Sequence, residues 1–174
     1  MKQLDGTGLK RLHRGWRRRT TGRLGLLLED VEGPFNVGAI IRTAAALRVD
    51  DVWLAGRTPA PEDPKVGKTA LGTDRYLTFH RCDDGPAAVE EARSAGYDVV
   101  AIELADEARP LHEVALGEAT LLAVGHEDRG CSSSLLAAAD LVAYLPLLGR
   151  VGSLNVATAA ALACYEVRRR EWSS

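Results

Sequence analysis

Residues 120–166 read TLLAVGHEDRGCSSSLLAAADLVAYLPLLGRVGSLNVATAAALACYE. Two apolar runs, TLLAV and DLVAYLPL, are each followed by a loop that contains glycine and then by a helical pattern. The stretch therefore predicts strand, loop, helix, strand, loop and helix. Ligands in open α/β sheets bind outside the carboxyl ends of the strands. The loops GHEDRG and LLGRVG are accordingly predicted to frame a ligand site.

The second of these loops leads into a helix predicted over residues 154–167. Ser153 is placed to cap this helix, and Asn155 would lie in its first turn, where backbone N–H groups are free. The helix is apolar almost all round, which predicts that it is buried. Four glycines would let the loop backbone approach a ligand, namely Gly125, Gly130, Gly149 and Gly152. An ordinary strand–loop–helix unit with glycine turns is the alternative that spacing alone leaves open.

The amino-terminal half of the chain predicts a similar unit. A first strand at residues 23–28, RLGLLL, is followed by a loop at residues 29–36. Pro34 disfavours regular structure in this loop, and Asn36 is a good cap for the helix that follows. That helix has an apolar stripe at i, i+3, i+4 and i+7, formed by Val37, Ile40, Ile41 and Ala44.

Arg42 points away from the apolar stripe of this helix. Its side of the helix is shared by four small residues, which are Gly38, Ala39, Ala45 and Ala46. A face of small residues around one arginine predicts close approach by another surface. The alternative is an exposed arginine on a helix that is rich in alanine.

The rest of the chain alternates between strand and helix patterns. Further strands are predicted at residues 50–56, 76–81, 97–104 and 120–124, with a helix at 83–96 and one helical turn near 68–71. The alternation predicts a single α/β unit with a mostly parallel sheet and helices on both faces. No GxGxxG follows the first strand, which argues against a nucleotide-dependent oxidoreductase, and neither GxxxxGK[ST] nor GxSxG occurs.

Composition excludes several classes of protein. The chain has 174 residues, of which 46% are hydrophobic, and no apolar run approaches the ~18 residues of a membrane-spanning helix. The basic start is not followed by an apolar segment, so no secretory signal is expected. Three scattered cysteines, Cys82, Cys131 and Cys164, predict reduced thiols in a cytoplasmic protein. The four histidines form no ligand cluster, and no metal is expected.

Charge is concentrated at the amino terminus. Residues 1–23 carry eight Lys or Arg against one Asp, a formal charge of +7, which leaves −9 for the remainder of a chain with net charge −2. Such a block is typical of an arm that contacts phosphates, and Trp16 within it would stack on a base. The arm's candidate RNA-binding residues are Arg11, Arg14, Arg17, Arg18 and Arg19. A solvated, frayed terminus is the alternative.

Three stretches together resemble the motifs of the SpoU/TrmH-type RNA 2′-O-ribose methyltransferases of the SPOUT superfamily. They are NVGAIIRTAAA at residues 36–46, GHEDRG at 125–130 and LPLLGRVGSLNVATAAALACYE at 145–166. The resemblance covers residues 24–170. It implies a SPOUT methyltransferase domain at 24–174 with a carboxy-terminal trefoil knot, which follows the basic arm that the charge distribution indicates at 1–23. It also implies a homodimer with S-adenosylmethionine (AdoMet) in the knot.

The resemblance assigns roles to matching residues. Catalytic roles are implied for Arg42, Asn36, Glu127, Ser153 and Asn155. Cofactor contacts are implied for Gly125, Glu127, Leu145, Leu147, Gly149, Ser153, Leu154 and Asn155. Arg42 would serve a site built with the other subunit. Because guanidinium groups stay protonated in proteins, we expect Arg42 to clamp the RNA phosphate beside the target ribose rather than to act as a base.

The implied function is AdoMet-dependent 2′-O-ribose methylation of RNA. The third motif and KTALGTDRYLTFHR at residues 68–81 are most similar to the tRNA enzymes that modify a D-loop guanosine, of the guanosine-18 type. Methylation of rRNA or of a tRNA wobble nucleotide is the alternative within the family. A catalytically inactive RNA-binding relative is the alternative from a different class.

Overall fold

Seven strands form one sheet in the computed structural model, which describes residues 2–173. The strands are β1 (Arg23–Glu29), β2 (Asp51–Ala55), β3 (Thr78–Cys82), β4 (Asp98–Ile102), β5 (Arg109–Pro110), β6 (Ala119–Val124) and β7 (Leu141–Tyr144). Their order across the sheet is β3-β2-β1-β6-β4-β7-β5, and these strands pair in parallel. The predicted parallel sheet is confirmed, although the two-residue strand β5 was not predicted.

Helices cover both faces of this sheet, as predicted. They are α1 (Gly6–Arg18), α2 (Pro34–Ala46), α3 (Pro64–Ala70), α4 (Gly85–Ser94), α5 (Ser133–Ala138) and α6 (Val156–Ser173), with single 3₁₀ turns at Asp74–Tyr76 and Leu111–Glu113. Leu26 and Leu28 of the central strand β1 share a core with α2, α3 and α6. Leu27 points to the opposite face and packs with α4 and α5. Each buried leucine contributes about 1.5–3 kcal/mol, which explains why β1 is apolar on both faces.

Two helix starts differ from the prediction because proline favours the first turn of a helix. Helix α2 begins at Pro34, with Gly33 as its N-cap, so the predicted loop to Asn36 and the capping role of Asn36 were wrong. The backbone N–H of the first helical residue has no partner within the helix, so the absence of an N–H in proline costs nothing there. The φ angle of proline is also already helical. In the same way α3 begins at Pro64 behind the cap Asp63, earlier than the predicted turn near 68–71.

One of the four small residues on the Arg42 side of α2, Gly38, packs within the chain. The predicted stripe is buried, and Arg42 is exposed. Gly38 is buried against α3, where an added Cβ would overlap the carbonyl oxygen of Val66 and lie 2.8 Å from Thr69 Cβ. The predicted close approach is therefore made at Gly38 by α3, while Arg42, one turn later, remains at the surface.

Helix α6 begins two residues later than predicted. Its cap is Asn155, whose Oδ1 accepts hydrogen bonds from the backbone N–H groups of Ala157 (3.0 Å) and Thr158 (3.2 Å). The capping role predicted for Ser153 was wrong, since Ser153 lies in the preceding loop. Full burial of the helix was also wrong. Leu162 and Tyr165 are 48% and 51% exposed, which leaves one apolar side of α6 open to another surface.

The basic amino terminus forms a helix rather than a frayed end. Asp5 caps α1 by accepting a hydrogen bond from the backbone N–H of Gly8 at 2.7 Å. None of the residues of α1 is buried, and the helix is attached at its end, where the rings of Trp16 and Trp172 lie 5.0 Å apart. Arg19 Nη2 donates to the carbonyl of Trp172 at 2.8 Å. A helix attached in this way presents its arginines to solvent.

Other predictions concern the thiols, the membrane and the knot. The three cysteines are free and buried, in keeping with reduced thiols. Between residues 2 and 173, no helix has the length and apolar character needed to cross a membrane. The same part of the chain has no cluster of three or more His, Cys, Asp or Glu that could hold a metal ion. The trefoil knot remains a prediction.

Candidate active site

A cavity of about 360 Å³ opens at the carboxyl ends of β4, β6 and β7. This is the edge of the sheet at which the two loops were predicted to frame a ligand site. Its size lies within the range of about 300–1,000 Å³ that small-molecule sites occupy. Six of the residues with implied cofactor contacts line the cavity: Gly125, Glu127, Leu145, Leu147, Ser153 and Leu154. Gly149 and Asn155 lie outside its lining.

Gly125 lets the loop after β6 fold back on itself. His126 and Gly130 exchange backbone hydrogen bonds of 3.0 and 2.8 Å, which close the loop. A Cβ at Gly125 would overlap the carbonyl group of Gly130 and the backbone nitrogen of Cys131, so only glycine fits without a shift of the backbone. Gly149 and Gly152, in the loop after β7, have open space around them. Close backbone approach is thus required at Gly125 and not at those two positions.

Glu127 connects the loop after β6 to the start of α2. Its Oε1 accepts hydrogen bonds from the backbone N–H of Gly33 (2.8 Å) and from Asn36 Nδ2 (3.0 Å), and its Oε2 accepts one from Glu32 N (3.2 Å). Partial burial raises the pKa of Glu127. The hydrogen bonds from Asn36 and from the backbone outweigh that effect and hold the pKa below its ordinary value. The carboxylate is therefore ionised and fixed at neutral pH.

Asn36 continues this connection to the start of α6. Its Oδ1 accepts a hydrogen bond from Asn155 Nδ2 at 3.0 Å, while Oδ1 of Asn155 caps α6. The residues Glu127, Asn36 and Asn155 therefore form one chain of hydrogen bonds. It joins the first turn of α2, the loop after β6 and the cap of α6, which belong to the three resembling stretches.

Arg42 lies apart from this chain of hydrogen bonds. It follows Asn36 by six residues on α2, which turns it about 240° around the axis and places it ~9 Å further along. Its side chain is exposed, does not line the cavity, and makes no hydrogen bond or ion pair with any residue between 2 and 173. Ser153 does line the cavity but is exposed in the loop. The structure thus brings together Asn36, Glu127 and Asn155, and places Arg42 elsewhere on the same subunit.

The arginines of the basic arm are distant from the cavity along α6. All five predicted RNA-binding arginines of the arm are exposed. The arm contacts α6 at Trp172, which lies about 24 Å along the helix axis from Val156 at the cavity. Any RNA that touches both places must extend over that distance.

Sequence reasoning missed Glu103. This residue directly follows β4, lines the cavity, and accepts hydrogen bonds from the backbone N–H groups of Leu104 (3.0 Å) and Cys131 (2.8 Å). A carboxylate at the end of an apolar strand was the available signal. This signal was weak, because the N–H group that holds the Glu103 carboxylate comes from Cys131, which follows a different strand, β6.

Replacing Glu127 by glutamine is expected to destabilise the fold by about 1–2 kcal/mol at pH 7, because the new amide N–H₂ would face hydrogen-bond donors. The pKa of Glu127 is lowered in the folded state, so its contribution is present above the unfolded value of 4.5 and is lost as the pH falls through the folded value. Denaturant unfolding should therefore show the difference shrinking at low pH. Asp128→Asn, an exposed neighbour, serves as the control, and a pH-independent difference would contradict this role.

A family model described as the SpoU rRNA Methylase family matches residues 23–165 of the chain. The match contains β1 and the whole chain of hydrogen bonds. It ends within α6 and excludes α1.

Individual proteins with similar sequence or structure carry related names. The 23S rRNA (guanosine(2553)-2'-O)-methyltransferase RlmP of Bacillus subtilis is 36% identical over 85% of this chain and 59% of its own length. The tRNA (guanosine(18)-2'-O)-methyltransferase of Thermus thermophilus is 33% identical over 88% of this chain and 78% of its own. The crystal structure of the SpoU methyltransferase AviRb from Streptomyces viridochromogenes, in complex with the cofactor AdoMet, has a TM-score of 0.79. It is 29% identical, covering 88% of this chain and 62% of that one.

The matches cover most of this chain but a smaller share of several relatives. The chain spans 55–59% of the length of three of the curated relatives it matches, so those proteins contain a further segment of their own. The family model nevertheless covers most of the chain, including every strand of the sheet. The chain therefore belongs to the SpoU rRNA methylase family.

Proposed function

We propose that this protein transfers a methyl group from AdoMet to a ribose 2′-hydroxyl of RNA. The observation that carries the proposal is the hydrogen-bond chain from Glu127 through Asn36 to Asn155, built at the edge of a cavity of about 360 Å³. Such a chain fixes side chains from three distant segments relative to one another. Fixed geometry lowers the barrier to group transfer by up to about 7–11 kcal/mol in favourable cases.

The size and lining of the cavity suit AdoMet. Apolar side chains such as Leu145 and Leu154 offer contacts for an adenine ring, and Gly125 allows the loop after β6 to close beside the site. The carboxylates of Glu103 and Glu127 favour a cationic ligand. When bound, AdoMet supplies an electrophilic methyl group on a sulfonium. The solved AviRb structure contains this cofactor, which supports the same assignment here.

The ribose hydroxyl is a poor nucleophile and needs alignment and charge stabilisation. Asn36 is fixed at the cavity edge and would hold the acceptor ribose. Arg42 of the same subunit faces elsewhere, so we propose that a homodimer brings in Arg42 of the partner subunit. The open apolar side of α6 at Leu162 and Tyr165 supports such an interface. Ser153 would contact the bound ligands from the loop.

The preferred substrate is tRNA, at a D-loop guanosine of the guanosine-18 type. The relative from Thermus thermophilus, which is named for that reaction and overlaps 88% of this chain, supports this choice. RlmP is named for an rRNA guanosine and is similar to the same degree, which supports 2′-O-methylation of rRNA as the second candidate. The free cysteines fit a cytoplasmic location, where either RNA would be met.

The test is transfer of a tritiated methyl group from AdoMet to bulk tRNA and to rRNA, followed by mapping of the labelled nucleoside. Label in 2′-O-methylguanosine of the tRNA D loop is the expected result. Label in rRNA alone would favour the second candidate. A protein that binds RNA but neither binds AdoMet nor transfers a methyl group to either RNA would contradict the proposed activity. That result would indicate an inactive relative.

The division into a basic arm at residues 1–23 and a catalytic domain at 24–174 predicts separable effects. The double variant Arg14→Gln/Arg18→Gln removes two exposed charges of α1. It should weaken RNA binding and lower the slope of log Kd against log salt by about 1.4–1.8, at ~0.7–0.9 for each lost phosphate contact. AdoMet affinity should not change.

Filter binding of tRNA across a salt series measures this slope. Arg109→Gln, an exposed arginine on the edge strand β5, is the control and should leave the slope unaltered. An unchanged slope in the double variant would mean that α1 does not contact phosphates.

A further inference from the structure

Glu103 is held rigidly at one wall of the cavity. Its backbone N–H donates to the carbonyl of Ala143 on β7 at 2.9 Å, which fixes the residue at the end of β4. Its side chain packs under the loop after β6. Gly130 there has a φ of +69°, and a Cβ at that position would overlap Glu103 Oε2. The absence of a side chain at Gly130 therefore leaves the space that the Glu103 carboxylate occupies.

Three carboxylates line the cavity, and Asp128 is the exposed one. The other two, Glu127 and Glu103, are held by backbone N–H groups and differ in their remaining capacity to accept hydrogen bonds. An ionised carboxylate offers about four lone-pair sites, two on each oxygen. Oε1 of Glu127 already accepts two hydrogen bonds and Oε2 accepts one. Each oxygen of Glu103 accepts a single one, from Leu104 N or from Cys131 N. Within residues 2–173, Glu103 thus keeps an acceptor site free on each of its two oxygens.

Glu127 and Glu103 follow different strands of the sheet, β6 and β4. Glu127 is bonded to Asn36 and so marks the side at which the RNA ribose would enter. Glu103 is bonded to Cys131 and, through its backbone N–H, to Ala143 of β7. With the acceptor ribose beside Glu127, groups beside β4 and β7 are available to parts of the donor other than the transferred methyl. In AdoMet these parts are the ribose with its vicinal diol, the adenine base and the amino acid end.

We propose that Glu103 binds the ribose of the methyl donor, with one hydroxyl on each carboxylate oxygen, and makes the cavity selective for nucleosides that carry both hydroxyls. Two neighbouring acceptors on one rigid group match two neighbouring O–H donors. An acidic residue at the end of a strand performs the same task for ribose in other open α/β sheets. This assignment rests on the proposed function, because it assumes that the nucleoside donor occupies this cavity.

The test is a comparison of ligands and variants by calorimetry, with no turnover involved. The probes are S-adenosylhomocysteine, its 2′-deoxy and 3′-deoxy forms, and a form that lacks the α-amino group. Wild-type protein should bind each deoxy form about 10–100-fold more weakly than the parent, as expected for a lost hydrogen bond to a charged acceptor. Glu103→Gln should bind the parent more weakly but discriminate against the deoxy forms by no more than about threefold.

In Glu103→Gln the amide oxygen can still accept the Cys131 N–H that supports the loop, while the N–H₂ group faces the N–H of the exposed Leu104. Thermal unfolding of the variant therefore separates loss of loop support from loss of ligand contact. Asp128→Asn, at the same cavity, is the control and should retain full discrimination. Full discrimination in Glu103→Gln would overturn the assignment, as would equal weakening for all four probes. Loss of discrimination against the amino-deficient form alone would move Glu103 to the amino acid end. Failure of wild-type protein to bind S-adenosylhomocysteine would instead contradict the proposed function itself.

Discussion

Replacement of Arg42 by alanine is expected to slow methyl transfer in a single turnover by about 10²–10³-fold while tRNA remains bound. The reason is electrostatic: a fixed cation beside the target ribose stabilises the charge that develops on the attacking oxygen, and loss of one such donor costs about 2.7–4 kcal/mol. Arg42→Lys should recover only part of the rate, because lysine has a charge but lacks the planar pair of donors that grips a phosphate. Rapid-quench kinetics with saturating AdoMet and tRNA provide the measurement.

Arg75→Ala is a suitable control for Arg42, since Arg75 is exposed and its side chain makes a hydrogen bond and a cation–π contact with its neighbour Tyr76. A near wild-type rate for either Arg42 variant, with RNA binding intact, would refute the role.

Mixing experiments test the dimer. A mixture of Arg42→Ala and Gly125→Ala subunits should regain about a quarter of wild-type activity, since half of the dimers would be mixed and each would hold one complete site. No recovery would place Arg42 at the site of its own subunit.

Replacement of Gly125 by alanine is expected to reduce affinity for AdoMet by more than about 10²-fold and to destabilise the fold by about 1–3 kcal/mol. An added Cβ would overlap the Gly130 carbonyl and the Cys131 nitrogen, so the loop that presents Glu127 would have to open. The same movement would displace the Cys131 N–H from Glu103. One methyl group would thus disturb both Glu127 and Glu103.

Calorimetry with S-adenosylhomocysteine and thermal unfolding measure the two effects of Gly125→Ala. Gly67→Ala is a suitable control, because Gly67 lies on α3 outside the cavity lining and a Cβ there meets open space. This control should bind the ligand as wild type does. Wild-type binding by Gly125→Ala would show that the loop after β6 does not need its closed form.

Local patterns in the sequence determined the secondary structure and the faces of its elements. Apolar runs predicted the main strands, and the spacing of Val37, Ile40, Ile41 and Ala44 predicted the buried side of α2. Asp84, directly before α4, caps that helix by accepting a hydrogen bond from Ala87 N. These features depend on residues that are close in sequence, so their physical causes can be read from short segments.

The roles of the candidate residues came from the resemblance of three motifs, and only the tertiary structure decided which of those residues meet. Asn36 was predicted as a helix cap. Because α2 begins earlier, at Pro34, the side chain of Asn36 instead forms hydrogen bonds with Glu127 and Asn155. Asn155 replaced Ser153 as the cap of α6. Glu103, at the end of β4, is held by the backbone N–H of Cys131, which follows a different strand, β6. Such contacts join distant segments, and their geometry depends on how strands order across the sheet, which short segments of sequence do not specify.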